Sequence, residues 1–226
     1  MRRLSFVLMV LGLIAATVSA QDPVKVSPEH YKVEIDNELV RVLRATRGPH
    51  EKAPMHEHPD EYLAIYLKNL HQKITLADGT VQEPNRKAGE VSFSKPVKHA
   101  EENLSDQPIE VLVVELKPGA ARSGVLWSDA FDGVKIDPQH HKVEFENERV
   151  RVVRIIREPH AKIPMHEHLR YVTVALTDVS SKQTLANGSI VEAHRKAGEV
   201  GWREPVKHAV ENLGDQRMEE IQVEFK

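Results

Sequence analysis

The pattern with the clearest chemical meaning in this 226-residue chain is Met-His-Glu-His, which occurs at 55–58 and again at 165–168. Further along the chain each copy is followed by Val-Lys-His-Ala, which supplies a third histidine. Histidine is the commonest metal-ligating side chain, and its neutral ring suits Zn, Cu, Fe and Ni. The candidate metal ligands therefore form two sets of three: His56, His58 and His99, and His166, His168 and His208.

The spacing of the paired histidines predicts that they share one face of a strand. Residues two apart on an extended chain point the same way, so His56 and His58 can grip one cation together. A third ligand such as His99 must then come from another strand. Ligation needs neutral imidazole, so we expect metal binding to weaken as the pH falls through the histidine range. The residues indicate a divalent transition metal, with Fe, Mn, Zn, Ni and Cu all open.

Aligning the chain with itself shows that it contains two copies of one sequence unit. Val24–His58 matches Val134–His168 with more than half of the positions identical, and Tyr62–Lys117 matches Tyr171–Lys226 with half identical. The predicted organisation is a first unit at 24–117, a linker at 118–133 and a second unit at 134–226. Because a unit this short buries a modest fraction of its surface, we expect the halves to pack together.

Within each unit the hydrophobic pattern is that of short strands. Polar and apolar residues alternate from Lys32 to Asp36 and resume at Val40, while Tyr62–Leu67 and Glu110–Leu116 are mostly apolar runs with the length of buried strands. The pairs Asp78-Gly79 and Asn187-Gly188 are hairpin turns, because these residue types tolerate positive φ. Another strand is expected to start over Ala88–Val91. No window favours an amphipathic helix, so the fold class is all-β, an antiparallel sandwich or barrel.

These residues resemble the two motifs of the cupin superfamily, and their repetition resembles a bicupin. The first motif reads Pro49-His50, five residues, then His56-Glu57-His58. The second reads Gly89, six residues, Pro96-Val97-Lys98-His99, then Asn103, and the second unit repeats both. The resemblance covers the chain apart from its first residues and the linker. It implies two tandem antiparallel jelly-roll barrels, one metal in each.

The chain departs from the cupin motif at the glutamate ligand. That residue should fall near Tyr62 or Leu63, and Glu61 is one residue early, on the wrong face of a regular strand. The resemblance therefore implies three-histidine, glutamate-less sites. Three neutral imidazoles leave a divalent ion with its full charge, which favours anionic ligands and Lewis-acid chemistry.

Other residues near the histidines also come in aligned pairs. Tyr62 and Tyr171 could reach a metal with the phenol oxygen, but we favour packing in the barrel. The remaining pairs are interpreted as turn, wall or outward-facing residues: His50 and His160 in turns, Asn103 and Asn212 fixing a turn through side-chain hydrogen bonds, Phe93 and Trp202 in the wall or core, and Glu57, Glu167, Lys98 and Lys207 on the outer face.

The first twenty residues predict a cleaved signal peptide at 1–20. Two arginines precede an apolar stretch at Phe6–Val18, and Val18-Ser19-Ala20 supplies small residues for cleavage. An uncleaved membrane anchor is the alternative. Cleavage implies a periplasmic or secreted protein, and the absence of cysteine excludes disulfides and thiolate ligands.

Composition narrows the classes of partner. The formal net charge is −3, with 40% hydrophobic and 29% charged residues, so neither nucleic acid nor a membrane surface is an expected partner after cleavage. A small-molecule ligand is expected, and exposed sheet edges make a homodimer reasonable.

Two function classes remain open on the sequence. The first is an exported metal-binding enzyme, an oxygenase or related metal-dependent enzyme acting on a small anionic or enolisable substrate. The second is a non-catalytic cupin that binds a small ligand or metal or has a structural role. The chain offers no obvious nucleophile, cofactor loop or general base beyond the ligands, so the sequence leaves open whether it is an enzyme.

Overall fold

A computed structural model describes residues 21–120 and 130–226 of the chain. These stretches are mostly antiparallel β-strands, with the one-turn helices α1 Pro23–Val26 and α2 Gly133–Ile136 and a 3-10 turn at Pro118–Ala120. The predicted signal peptide and most of the predicted linker lie outside the described residues. Within the described part, no helix is both long and apolar enough to cross a membrane.

Each unit contributes its own set of strands. Those of the first unit are β1 Tyr31–Asp36, β2 Val40–Arg47, β3 Lys52–His58, β4 Tyr62–Tyr66, β5 Leu70–Leu76, β6 Val81–Gln82, β7 Asn85–Arg86, β8 Val91–Ser94, β9 Val97–Asn103 and β10 Ile109–Leu116. Those of the second unit are β11 His141–Glu146, β12 Val150–Arg157, β13 Lys162–His168, β14 Tyr171–Ala175, β15 Val179–Leu185, β16 Ile190–Arg195, β17 Val200–Arg203, β18 Val206–Asn212 and β19 Met218–Phe225.

The strands of each unit form two facing sheets. In the first unit the orders are β1-β2-β10-β4-β8 and β3-β9-β5-β6, with β7 paired to β5. The second unit repeats them as β11-β12-β19-β14-β17 and β13-β18-β15-β16. Since neighbours in the sheets are mostly distant in sequence, each unit is a jelly-roll barrel, and the all-β prediction is confirmed.

The two barrels pack against each other through their larger sheets. One core cluster joins β2, β4 and β10 of the first unit to β12, β14 and β19 of the second. Phe93 stacks on Phe145 across this boundary with ring centres 4.8 Å apart. The central strands β10 and β19 are buried on both faces, which explains their nearly continuous apolar sequences. The expectation that the halves pack together is confirmed.

The predicted turns have the expected backbone conformations, but one strand begins later than predicted. Gly79 and Gly188 have φ of 87° and 82° in their hairpins, and His50 and His160 sit in turns at φ 59°. The strand expected over Ala88–Val91 begins only at Val91, because Gly89 adopts φ 85° in a turn.

Candidate metal centres

The smaller sheet of each barrel brings the three predicted histidines together. His56 and His58 lie on β3, His99 lies on β9, and the antiparallel register sets His56 directly opposite His99. His166 faces His208 in the same way in the second barrel, with His168 beside them. In each set the ligand atoms lie within 4.8 Å of one another, and all six side chains are buried.

A β-bulge in the histidine strand fixes the orientation of the first imidazole. Between Ala53 and His56 the register slips, so that Pro54 and Met55 stand against a single residue of β9. The bulge turns the Pro54 carbonyl toward the ring, and Nδ1 of His56 donates to it over 2.8 Å. A carbonyl only accepts, so Nδ1 carries the proton and Nε2 presents its lone pair to the interior.

The second barrel anchors all three rings in this way. Nδ1 of His166 donates to the Pro164 carbonyl at 2.8 Å, and Nδ1 of His208 lies 3.1 Å from Oε1 of Gln183. Nδ1 of His168 lies 2.9 Å from a carboxylate oxygen of Glu224. Within residues 21–120 and 130–226, the buried Nε2 atoms of these three histidines have no hydrogen-bond partner.

Converging lone pairs without partners fit a bound cation. Buried polar atoms are normally paired, so three orphaned nitrogens aimed at one point need an explanation. A divalent transition metal would satisfy all of them, and imidazole suits Zn, Cu, Fe and Ni. In the first barrel the Nε2 atoms of His56 and His99 also face each other, 3.1 Å apart, and Nε2 of His56 lies close to the Tyr31 hydroxyl as well.

Burial keeps these rings neutral. Desolvation is the largest cause that lowers the pKa of His56 to about 4 and the pKa of His99 to about 2, with the neighbouring imidazoles adding to it. The same causes lower the pKa of His166 to about 2 and that of His208 to about 3. At neutral pH these four imidazoles are therefore already in the form that binds metal.

Buried carboxylates hold the second histidine of each strand. Oε1 of Glu115 accepts from Nδ1 of His58 at 2.7 Å, and Arg41 lies 3.6 Å from the other oxygen of this carboxylate. Glu224 repeats the arrangement with His168, and Arg151 donates to it at 2.8 Å. Such outer carboxylates orient metal-binding imidazoles and raise their basicity.

Two residues that the sequence analysis did not single out complete the first set. The hydroxyl of Tyr31 lies 3.0 Å from Nε2 of His56 and donates to Glu101 at 2.6 Å. That carboxylate also pairs with buried Arg47 and lies 3.9 Å from Nε2 of His56. A carboxylate therefore stands beside the first triad after all. It comes from β9, two residues after His99 and on the same face, a period that could have indicated it.

The second barrel differs at these two positions. His141 aligns with Tyr31, and Val210 aligns with Glu101. The buried Arg157, equivalent to Arg47, pairs instead with Glu220 on β19. Burial opposes the ionisation of Glu220, but Arg157 and Arg195 outweigh it and lower the pKa of its carboxyl to about 2. Each barrel thus keeps a buried arginine–carboxylate pair, built from different strands.

Each triad borders a cavity that carries an arginine. The first cavity, of about 190 Å³, is lined by His58, His99 and Arg47 among others. The second, of about 410 Å³, includes His208 and Arg157. In the described part of the chain, Nε and Nη1 of Arg47 and Nε of Arg157 are buried without a partner. A larger cleft of about 650 Å³ lies between the barrels, but none of the six histidines lines it.

The other aligned pairs mostly take the roles expected of them. Tyr62 and Tyr171 form cavity wall, with ring centres 4.9 and 5.1 Å from those of His58 and His168. The hydroxyl that touches a triad histidine belongs to Tyr31 instead. Asn103 and Asn212 fix turns through hydrogen bonds, and Phe93 and Trp202 pack on the core between the barrels.

Solved structures that share this architecture include a cupin 2 conserved barrel domain protein from Leptotrichia buccalis, with a TM-score of 0.55 at 10% identity over 87% of this chain and 88% of that one. The chain superposes on AerE from Microcystis aeruginosa with a TM-score of 0.64 at 16% identity, covering 92% of this chain and 97% of that one. Oxalate decarboxylase from Bacillus subtilis, described with Mn(II) centres, gives 0.57 at 13% identity over 83% and 69% of the two chains. Salicylate 1,2-dioxygenase from Pseudoaminobacter salicylatoxidans gives 0.55 at 10% identity over 82% and 71%.

These likenesses define the fold as that of a bicupin. No family model and no curated protein sequence matches the chain. The resemblance seen in the two histidine motifs is therefore confirmed by the three-dimensional fold.

Proposed function

We propose that this protein is a metal-binding bicupin in which each barrel holds one divalent transition metal through three histidines. The convergence of inward Nε2 atoms, with Nδ1 anchored to Pro54, Pro164, Glu115 or Glu224, carries this proposal. Because these acceptors fix the tautomer and the ring orientation, the donors are organised before a metal arrives. His56, His58 and His99 would hold one ion, and His166, His168 and His208 the other.

We further propose that the protein is an exported metal-dependent enzyme acting on a small anionic or enolisable substrate, as an oxygenase does. A metal held by neutral imidazoles would supply a Lewis acid and a place to bind an anion. Arg47 and Arg157 line the cavities beside the triads, and among the residues described each keeps at least one buried N–H group without a partner, so these guanidinium groups would bind a carboxylate there. The names of two structural neighbours, oxalate decarboxylase and salicylate dioxygenase, also point to small carboxylates.

One observation favours the alternative, a non-catalytic metal- or ligand-binding cupin. Glu101, which is largely buried, and Glu220, which is fully buried, line the two cavities, and each is paired with an arginine. Neither is free to act as a general base. A binding role would need only the metal and the arginine.

Metal analysis of the purified mature protein tests the first proposal. We expect about two equivalents of one transition metal, falling to none in the His56→Ala/His166→Ala double variant. The matched control is His50→Asn/His160→Asn, which removes two exposed turn histidines and keeps a residue type that tolerates positive φ. Metal retained in the double variant, or absent from the wild type after growth with added metals, would contradict the proposal.

Substrate tests separate the enzyme from the binding module. The metal-loaded protein would be assayed with salicylate, gentisate and oxalate for oxygen uptake and carbon dioxide release. Turnover that is lost in Arg47→Gln or Arg157→Gln, with metal content unchanged, would support the enzyme. Binding of these carboxylates without turnover would support the alternative.

A further inference from the structure

The two triads differ at one inward-facing position, which holds Tyr31 in the first barrel and His141 in the second. We infer that His141 is a fourth imidazole donor, so that the second barrel binds its cation through four histidines and the first through three. The inference rests on the proposed function, because it concerns the metal that the triads would hold. It makes the two centres chemically unequal, although the duplication gave them the same three-histidine set.

The contacts of His141 prepare it for this role. Its Nδ1 donates to the Asp137 carbonyl at 3.0 Å, so the ring presents the lone pair of Nε2. That atom is buried, and it has no partner within the described stretches of the chain. The ring lies edge-on to His166 with centres 5.1 Å apart, outside the closely spaced set of three.

A glycine leaves room beside this nitrogen. A Cβ at Gly133 would stand 3.1 Å from Nε2 of His141 and 3.2 Å from Cδ2 of His166, so a side chain there would fill the space between the two rings. The aligned residue of the first unit is Pro23. The exchange of tyrosine for histidine thus comes with an exchange of proline for glycine at the same place.

The first barrel has no equivalent nitrogen. The ring of Tyr31 stands at the same 5.1 Å from His56, but its hydroxyl proton is donated to Glu101. A neutral phenol is a weak ligand, so the first cation would keep only three protein donors and a position open to an exchangeable ligand.

Charge near the cavities does not account for the difference. The first cavity is lined by two arginines and one glutamate, which are Arg47, Arg86 and Glu101. The second is lined by three arginines and two glutamates, which are Arg157, Arg195, Arg203, Glu192 and Glu220. Each cavity therefore has one more guanidinium group than carboxylates. Glu101 stands beside the first triad and is replaced by Val210 in the second, but its carboxylate is already paired with Arg47 and Tyr31. The fourth imidazole therefore distinguishes the second site, which should bind imidazole-preferring metals more tightly and fill first.

Cobalt titration of the metal-free protein tests the inference, with variants in which only one of the two triads is intact. His56→Ala leaves the second site and His166→Ala leaves the first. We expect Co²⁺ to bind the second site about tenfold or more tightly, with the intense visible absorption of a four-coordinate ion, and the first site more weakly, with faint absorption. Two sites with equal affinities and equal spectra would overturn the inference while leaving the proposed function intact.

Exchanging the two residues gives the decisive comparison. In the His56→Ala background, His141→Tyr should weaken Co²⁺ binding about tenfold and remove the intense spectrum, and His141→Phe should do the same. In the His166→Ala background, Tyr31→His should create that spectrum. His140→Gln is the control, because His140 contacts Asp137 instead of the triad, and it should change neither the Co²⁺ affinity nor the spectrum.

If both His141 variants keep the affinity and spectrum of their parent, His141 is not a ligand. If no variant and not even the wild type binds Co²⁺, the proposed function itself fails.

Discussion

At the scale of the residue, the position of one proton on each imidazole decides what the histidines can do. Pro54 and Pro164 present backbone carbonyls that can only accept, so His56 and His166 must carry the proton on Nδ1. The lone pairs on Nε2 then face each other inside a buried space. Without a cation, lone pairs that face each other make no stabilising interaction. The tautomers and the burial of the rings therefore indicate a metal site more strongly than the presence of three histidines alone.

Glu115 provides a test of this anchoring. We expect Glu115→Gln to weaken metal binding at the first site by about tenfold or more, because an amide orients and polarises His58 less strongly than a carboxylate. The second site, which relies on Glu224, should keep its affinity. Isothermal titration of single-site variants measures both. Equal losses at the two sites would indicate a general loss of folding instead.

Neutral buried histidines also predict how stability depends on pH without metal. Five rings have pKa values of about 4 or below: His56, His99, His141, His166 and His208. In the unfolded chain a histidine has a pKa of about 6.5, so below that pH the unfolded state binds protons that the folded state does not. The free energy of unfolding should therefore fall with pH below about 6.5, by about 1.4 kcal/mol per pH unit for each ring.

Urea denaturation of the chelator-treated protein between pH 7.5 and 5.5 measures this loss. The stability should be nearly flat above pH 7 and fall steeply below pH 6.5, and the exposed-histidine variant His50→Asn should show the same slope. A flat profile down to pH 5.5 would mean that the rings are protonated in the folded state. Metal binding should likewise persist to lower pH than an ordinary histidine site allows, which revises the expectation from sequence.

At the scale of the element, the strands that carry the triads follow from sequence, and the bulge does not. Alternation predicts that His56 and His58 share a face, but Ala53 is also buried, and a regular strand would put it on the other side. The slip at Pro54 and Met55 resolves this conflict. It depends on pairing with β9, a partner distant in sequence, so local pattern alone could not locate it.

The same limit explains why Tyr31, Glu101 and His141 were missed. Tyr31 and His141 lie outside the histidine motifs and reach the triads only because another strand folds against them. Glu101 lies within the second motif, on the same strand as His99, but its contact with His56 depends on the pairing of β9 with β3. The two aligned units do contain a signal for these residues, because at inward-facing positions a tyrosine aligns with a histidine and a glutamate aligns with a valine. Duplicated units that otherwise agree reveal their specialised residues by such exchanges.

The turn after β9 is held by the side chain of Asn103, and its contribution to the stability of the fold can be tested. Nδ2 of Asn103 donates to the carbonyls of Gly48 and Gln107, and its Oδ1 accepts from the Ser105 backbone. Asn103→Ala should lower the free energy of unfolding by about 1–3 kcal/mol, because it removes several hydrogen bonds that a buried side chain makes to the backbone of the turn. Urea denaturation measures the change.

Asn85 is the matched control for that turn, since it is exposed on the short strand β7. Asn85→Ala should stay within about 0.5 kcal/mol of the wild type. A similar loss in both variants would mean that the Asn103 hydrogen bonds contribute little. A loss of stability in Asn103→Ala alone would show that the Asn103 side chain stabilises the turn that follows β9, the strand that carries His99.

At the scale of the whole molecule, the interface between the barrels has the symmetry of a dimer. Arg44 donates to the carbonyl of Gly198 in the second unit at 2.7 Å, and Arg154 donates to that of Gly89 in the first. The apolar faces of the two larger sheets meet between these contacts. Such reciprocal contacts define an isologous interface, here made within one chain. A homodimer of the whole chain would therefore use a different surface.

This symmetry predicts that the first barrel alone, expressed as residues 21–119, pairs with a second copy of itself. Arg44 and Gly89 both belong to that unit, so each copy can supply the donor and the acceptor that the other needs. Its exposed face would include Val42, Leu63 and Val114, which are fully buried in the intact chain. Leaving such a patch in water is costly, so sedimentation velocity should show a dimer. Val114→Asp should abolish the dimer, whereas Val81→Asp, at an exposed residue of β6, should leave it unchanged. A well-folded monomer of the unmodified unit would instead mean that the covalent linkage, and not complementarity of the faces, holds the barrels together.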